Sequence, residues 1–150
     1  MKNSNKILYS VSGNIAILTI NRPERRNALD AETLEQINIL LDRAENDEKV
    51  RVILITGQGD TFSSGFDLKD QMEKAPKGKE WKPILELDHR TIMRFWNSPK
   101  PTIAVVKGAC LAGAFELSLA CDFTICSKDS FFGEPELKFG AGIVTMLSLI

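Results

Sequence analysis

Two glycine-bearing segments of the sequence could present backbone amides to a reacting group. One runs from Phe62 to Leu68 and the other from Gly108 to Ala114, each at a junction between an apolar run and a following helical pattern. Amides at the start of a helix lack an intrahelical acceptor and lie at the positive end of the helix dipole, so they can bind an anion. Two such turns that converge would form an oxyanion hole. A glycine at a single turn of this kind more often supplies only a backbone angle.

Two glutamates lie in apolar surroundings and could transfer protons. Glu116 stands among alanine, phenylalanine and leucine residues, where an unpaired carboxylate is costly to bury. Glu136 follows two phenylalanines, a glycine and a proline, and such a setting tends to raise a carboxyl pKa toward the range useful for proton transfer. From spacing alone, the alternative that each glutamate caps a helix or forms a salt bridge is favoured.

Other motifs give no prediction of a bound metal or dinucleotide. The run from Gly57 to Gly59 lacks the third glycine of a dinucleotide loop and is interpreted as a tight turn. The cysteines are odd in number and form no CxxC pair, so we expect buried reduced thiols at Cys110, Cys121 and Cys126. His89 lies on a predicted helix, where a surface histidine is the favoured interpretation.

The elements that would position these residues alternate between strand and helix. Strands are predicted over Ile7 to Ser12, Ile15 to Ile20, Val50 to Thr56, Thr102 to Val106 and Phe123 to Cys126. Helices are predicted after the N-cap Asp30, from Pro83 to Trp96, and from Ala114 to Ala120. Gly108 to Gly113 is predicted as a turn and Ser130 to Glu136 as an irregular segment. This order predicts an α/β fold.

The composition bounds the class of protein. The 150 residues are 43% hydrophobic and 26% charged, which is typical of one globular domain. With 19 basic and 20 acidic residues the net charge is -1, so neither nucleic acid nor a membrane surface is expected as a partner. A polar N-terminus and the lack of a long apolar run predict a cytoplasmic protein that binds small molecules or other chains.

Five segments agree in order and spacing with one known family. They are Asn21 to Pro23 with Asn27 to Leu29, Phe62 to Leu68, Pro101 to Gly113, Glu116 to Asp122, and Phe132 to Glu136. From about Ile7 to Gly140 the sequence thus resembles the crotonase (enoyl-CoA hydratase/isomerase) superfamily. The resemblance implies a crotonase fold, a spiral of repeated ββα units. It also implies that residues 1–150 are the N-terminal core of the domain, without its C-terminal helices.

The resemblance also implies roles for individual residues. The oxyanion donors would be the amides of Phe66 and Gly113, and the catalytic acids Glu116 and Glu136. Glu136 would take the larger part in proton transfer, and Glu116 would hold the water. The coenzyme A arm would lie along a segment with Arg25 and Lys69 near its phosphates; the implied substrate-binding residues are Arg25, Ser64, Gly65, Phe66, Asp67, Leu68 and Lys69.

Because both glutamates are present, the resemblance favours an enoyl-CoA hydratase of fatty acid metabolism. It would act on an acyl-CoA thioester without a separate cofactor, as a homo-oligomer (trimer or hexamer). The alternatives are an isomerase, another acyl-CoA enzyme such as a thioester hydrolase, and a truncated non-catalytic chain. Two features depart from the family pattern: the bulky Phe66, and the run from Gly140 to Met146 in place of a proline-glycine turn. Residues 143–150 are mostly apolar and would be costly to expose to water. We therefore expect that the chain ends in mid-domain, and that the 150-residue chain expressed alone associates and has weak activity.

Overall fold

The structure, a computed structural model, describes residues 5–67, 70 and 77–135. Its large sheet contains β1 (Ile7–Ser12), β2 (Ile15–Ile20), β3 (Val52–Gly57), β4 (Thr102–Val106) and β6 (Phe123–Cys126), in the order β1-β2-β3-β4-β6. The pair β1 and β2 is antiparallel, whereas the remaining neighbours are parallel. The five predicted strands are therefore confirmed, with β3 shifted two residues at its start and one at its end.

In the described part of the chain, three helices lie between the strands: α1 (Ala31–Asn46), α2 (Trp81–Trp96) and α3 (Gly113–Ala120). Short 3-10 turns cover Pro23–Arg25 and Gly78–Glu80. The helix predicted from Pro83 begins two residues earlier, at Trp81. Pro83 therefore lies in the first helical turn, where a proline is tolerated because the N–H that it lacks would have no intrahelical acceptor. Asp30 caps α1 as predicted: its carboxylate accepts a hydrogen bond from the amide of Thr33 at 2.9 Å.

Short extended segments form a second, smaller sheet. The strand β5 (Ala109–Leu111) pairs in parallel with β7 (Phe131–Gly133), and single bridges add Ser63 beside Cys110 and Leu29 beside Phe66. The predictions of a simple turn from Gly108 to Gly113 and an irregular segment from Ser130 to Glu136 are therefore wrong in part. Each contains a three-residue strand, and two strands this short are stabilised by each other rather than by local sequence.

The core lies between the large sheet and the helices. Alternate residues of β2 and β3 are buried, and α1 contributes Leu34, Ile37, Leu41 and Ala44. Helix α2 packs against both α1 and α3, so the three helices form a continuous layer. All four residues of β6 are exposed at the sheet edge. Within the described ranges, no helix is long and apolar enough to cross a membrane.

Candidate active site

Hydrogen bonds of Asn27 hold the first glycine-bearing loop, which runs from Phe62 to Leu68. Asn27 is fully buried, and its side-chain amide donates to the carbonyl oxygens of Gln58 at 2.9 Å and Thr61 at 2.7 Å. The Ser63 hydroxyl donates to the Asn27 carbonyl at 2.7 Å and accepts from the Gly65 amide at 3.1 Å. Because buried polar groups are costly to leave unpaired, these bonds fix the path of the loop.

The second loop lies directly against the first. The Ser63 amide donates to the Ala109 carbonyl at 3.1 Å, and the Leu111 amide donates to the Ser63 carbonyl at 3.1 Å. At Gly65, whose φ is +87°, a Cβ atom would lie 2.4 Å from the Cβ of Ala112. Only glycine fits that position, since both the backbone angle and the space exclude a side chain. The two loops predicted to converge are therefore in contact.

The start of α3 has an unusual backbone. Ala112, the residue before the helix, has φ 57° and ψ -139°, a region that residues with a Cβ rarely occupy. Its amide donates to the Gly133 carbonyl at 2.8 Å, which ties the helix start to β7. The surrounding contacts thus hold the Gly113 amide at a defined position.

Phe66 and Gly113 meet at the junction of the two loops. A Cβ atom on Gly113 would lie 2.3 Å from the Phe66 ring, so the ring packs on the bare backbone of this glycine. Neither the Phe66 amide nor the Gly113 amide donates a hydrogen bond to a described residue. The two residues thus meet where the loops join, and their amides differ from those of Ser63, Gly65 and Ala112, which donate within the fold.

Glu116 lies on the first turn of α3 and is only 2% exposed. The helix α2 places a second acid, Asp88, near it, and Asp88 is 3% exposed. Burial, and secondarily the charge of Glu116, raises the pKa of Asp88 to about 7. The site therefore contains two interacting buried carboxyl groups on facing helices. Glu136, the other predicted catalytic acid, lies outside the described residues.

Asp67 anchors the end of the first loop. Its carboxylate accepts from Arg25 at 2.7 Å and from Arg22 at 3.0 Å. Burial acts to raise the pKa of Asp67, but hydrogen bonds from Arg25, the Asp70 amide and Arg22 outweigh it, so this pKa lies below its usual value. Two residues predicted to contact coenzyme A are thus paired with each other, although the Arg25 side chain remains 33% exposed.

The remaining predicted substrate-binding residues are Ser64, Leu68 and Lys69. Ser64 is half-buried and its amide donates to the Arg26 carbonyl, while Leu68 and Lys69 lie outside the described residues.

His89 is exposed, in agreement with a surface histidine. Of the predicted buried thiols, Cys110 is buried, Cys121 is half-buried and Cys126 is exposed, because β6 is an edge strand. In the described part of the chain, no cluster of side chains suits a metal ion.

Sequence reasoning missed Asp88. The buried face of α2 consists of Asp88, Thr91, Ile92 and Phe95, which follow the helical spacing of a core-facing stripe. An aspartate in such a stripe was the available signal, since charged residues are rarely buried without a reason. Glu134 was also not predicted as a site residue. It lies near Cys110, and its charge adds to the effect of burial, which raises the pKa of that thiol to about 12.

Comparison with known proteins identifies the family that this chain resembles. Residues 10–147 match the enoyl-CoA hydratase/isomerase family. The short-chain-enoyl-CoA hydratase of Clostridium acetobutylicum is 33% identical over 137 residues, which are 91% of this chain and 52% of that protein. The chain thus spans about half the length of the curated relatives it matches.

Solved structures are similar over nearly the whole chain. An enoyl-CoA hydratase/isomerase from Xanthobacter autotrophicus Py2 is 59% identical with a TM-score of 0.94, covering 96% of this chain and 54% of the other. The enoyl-CoA hydratase of Thermoplasma volcanium is 29% identical with a TM-score of 0.88, covering 95% of this chain and 56% of the other.

Proposed function

Because the chain belongs to the enoyl-CoA hydratase/isomerase family, we propose that the protein adds water to a 2-enoyl-CoA thioester. The observation that carries this proposal is the contact between Phe66 and Gly113, with the buried Glu116 one helical turn further on. Two amides that donate to no described residue, with a buried acid on the first turn of α3, suit a reaction in which charge develops on a carbonyl oxygen while a proton moves nearby.

The two amides would act on the thioester carbonyl. When the oxygen of water bonds to the β-carbon, the electron pair of the double bond moves toward the carbonyl, and negative charge builds on its oxygen. Hydrogen bonds from Phe66 and Gly113 would stabilise that charge, and the dipole of α3 would add to the effect. Donors fixed before the reaction need no reorganisation, and removing one such donor typically costs about 10²- to 10³-fold in kcat.

The two glutamates would move the protons. One carboxylate takes a proton from the attacking water, and the other carboxyl group delivers a proton to the α-carbon, which completes the addition. We assign Glu116 to holding the water and Glu136 to the larger share of proton transfer. If the two glutamates share a proton, the division of roles between them applies to the pair and not to either residue alone.

Substrate binding would use most of the first loop and the residue directly after it. Ser64 to Lys69 would lie along the coenzyme A arm, and Arg25, held by Asp67 but partly exposed, would approach the phosphates with Lys69. Coenzyme A is part of the substrate in this scheme, and the reaction needs no additional cofactor. We further propose a cytoplasmic homo-oligomer, trimeric or hexameric.

A panel of 2-enoyl-CoA thioesters of increasing chain length tests the proposal. We expect the purified whole protein to consume the conjugated thioester and to form the 3-hydroxyacyl product. Glu136→Gln should lower kcat by about 10²- to 10⁴-fold with coenzyme A affinity nearly unchanged, because it removes the proton but keeps the shape. Glu86→Gln, on the exposed face of α2, is the matched control.

Two results would count against hydration. Migration of the double bond without uptake of water would identify an isomerase, and near-normal turnover by Glu136→Gln would move the proton transfer to another residue.

A further inference from the structure

Asp88 is the one acidic residue on the buried face of α2. Its surroundings do not show a structural reason for burying a carboxyl group at this position. Thr91 on the same face is satisfied, since its hydroxyl donates to the Leu87 carbonyl at 2.8 Å and accepts from Asn38 at 2.7 Å. In contrast, Oδ2 of Asp88 has no hydrogen-bond partner among the described residues. A buried carboxyl oxygen without a partner carries a desolvation cost that a purely structural site would avoid.

Several acidic residues lie around Asp88. Asp88 borders a cavity of about 50 Å³ together with Asp30, Asp67 and Asp70, and Glu116 faces it from α3. The nearby cations are engaged elsewhere: Lys6 and Arg22 pair with Asp30, and Arg22 and Arg25 pair with Asp67. Among the described residues, no cation forms a salt bridge with Asp88.

We propose that Asp88 is a positioning residue for Glu116, acting through a protonated carboxyl group that leaves one negative charge between α2 and α3. This inference rests on the proposed hydration. Two interacting buried carboxyl groups do not ionise independently, so a neutral Asp88 lets Glu116 carry the charge that holds the water. Ionisation of Asp88 would place a second negative charge near the site, and this charge would repel both Glu116 and the developing oxyanion.

The pKa of Asp88, raised to about 7 by burial and by Glu116, falls where this switch would be measurable. We therefore expect hydration of but-2-enoyl-CoA to decline as the pH rises through that value. The variant Asp88→Asn keeps the neutral, hydrogen-bonding shape and cannot ionise. Its kcat at about pH 6 should remain within about threefold of the parent value, whereas the alkaline decline should be absent, with about tenfold higher kcat at pH 9.

The control and a second readout separate this inference from the proposed function. Glu86→Gln, on the same helix but exposed, should keep the decline. Infrared difference spectra of the parent protein against Asp88→Asn, or against Asp88→Ser if the first variant misfolds, isolate the protonated Asp88 carboxyl. Its titration should move to lower pH in Glu116→Gln, because a like charge has been removed.

Each outcome has a defined meaning. If the parent protein hydrates the thioester and Asp88→Asn keeps the same alkaline decline, the inference is overturned while the proposed function stands. An Asp88 titration that does not move in Glu116→Gln overturns it as well, with or without activity. If the parent protein hydrates no thioester, the proposed function fails, and with it the role of Asp88 in turnover.

Discussion

At the scale of single residues, two buried aspartates near the site have opposite protonation preferences because their neighbours differ in charge. Asp67 is 4% exposed but accepts hydrogen bonds from two arginines, and its pKa is lowered although burial alone would raise it. Asp88 is 3% exposed and faces Glu116, so burial and like charge both raise its pKa, to about 7. Burial alone therefore does not decide the charge of an acid in this region; its partners do.

The raised pKa of Asp88 predicts a pH-dependent loss of stability. Between the ordinary aspartate pKa and about 7, the folded chain holds a proton that the unfolded chain has released, so stability falls as the pH rises through this range. We expect Asp88→Asn to be more stable than the parent at about pH 8, by at most about 4 kcal/mol, and the difference to shrink toward pH 4. Urea unfolding across this range measures it.

The matching control for stability is Asp42→Asn, which removes an acid from an exposed ion pair with Arg94. Its effect should be small, since exposed ion pairs contribute about 1 kcal/mol or less. An Asp88→Asn variant whose advantage stays constant from pH 4 to pH 8 would contradict the assignment of a protonated Asp88.

At the scale of elements, the site depends on how closely two loops approach, and Gly113 is where that approach is tightest. Alanine is intrinsically better than glycine in a helix, so any loss in Gly113→Ala comes from the contact of the new Cβ with the Phe66 ring. We expect the ring and its amide to be displaced and kcat to fall by about 10²-fold or more, as when one oxyanion donor is lost. Steady-state kinetics on but-2-enoyl-CoA measure the change.

Gly133→Ala is the matched control for that variant. A Cβ atom on Gly133 would lie 3.7 Å from Leu111, an ordinary contact, so near-parental turnover is expected. Undiminished turnover in Gly113→Ala would show that the Phe66 and Gly113 amides do not act together.

The elements also show what a single sequence can and cannot predict. β1, β2 and α1 follow from alternation, turn residues and an N-cap, which are all local signals. The pairing of β5 with β7 joins Ala109 to Phe131, far apart in the chain, and three-residue strands leave no periodic pattern to detect. Asp88 was overlooked for a related reason: its importance depends on Glu116, a neighbour in space on another helix.

At the scale of the whole molecule, the family and the α/β crotonase fold predicted from five sequence segments are confirmed. The roles of Phe66, Gly113, Glu116 and Glu136 stay predictions, as does association of the 150-residue chain when expressed alone. Exposed apolar side chains near the sheet edge, at Phe123, Ile125, Phe131 and Phe132, are consistent with such association. The chain spans about half the length of the relatives it matches, so activity is a property to test on the whole protein.

The most direct test is a crystal structure of the whole protein with a saturated acyl-CoA, which binds but lacks the double bond to be hydrated. We predict that the thioester oxygen accepts hydrogen bonds from both the Phe66 and the Gly113 amide, within about 2.7–3.2 Å of each nitrogen. The β-carbon should face Glu116. A thioester oxygen bound by other donors, with these two amides turned away from the acyl group, would contradict the proposed site.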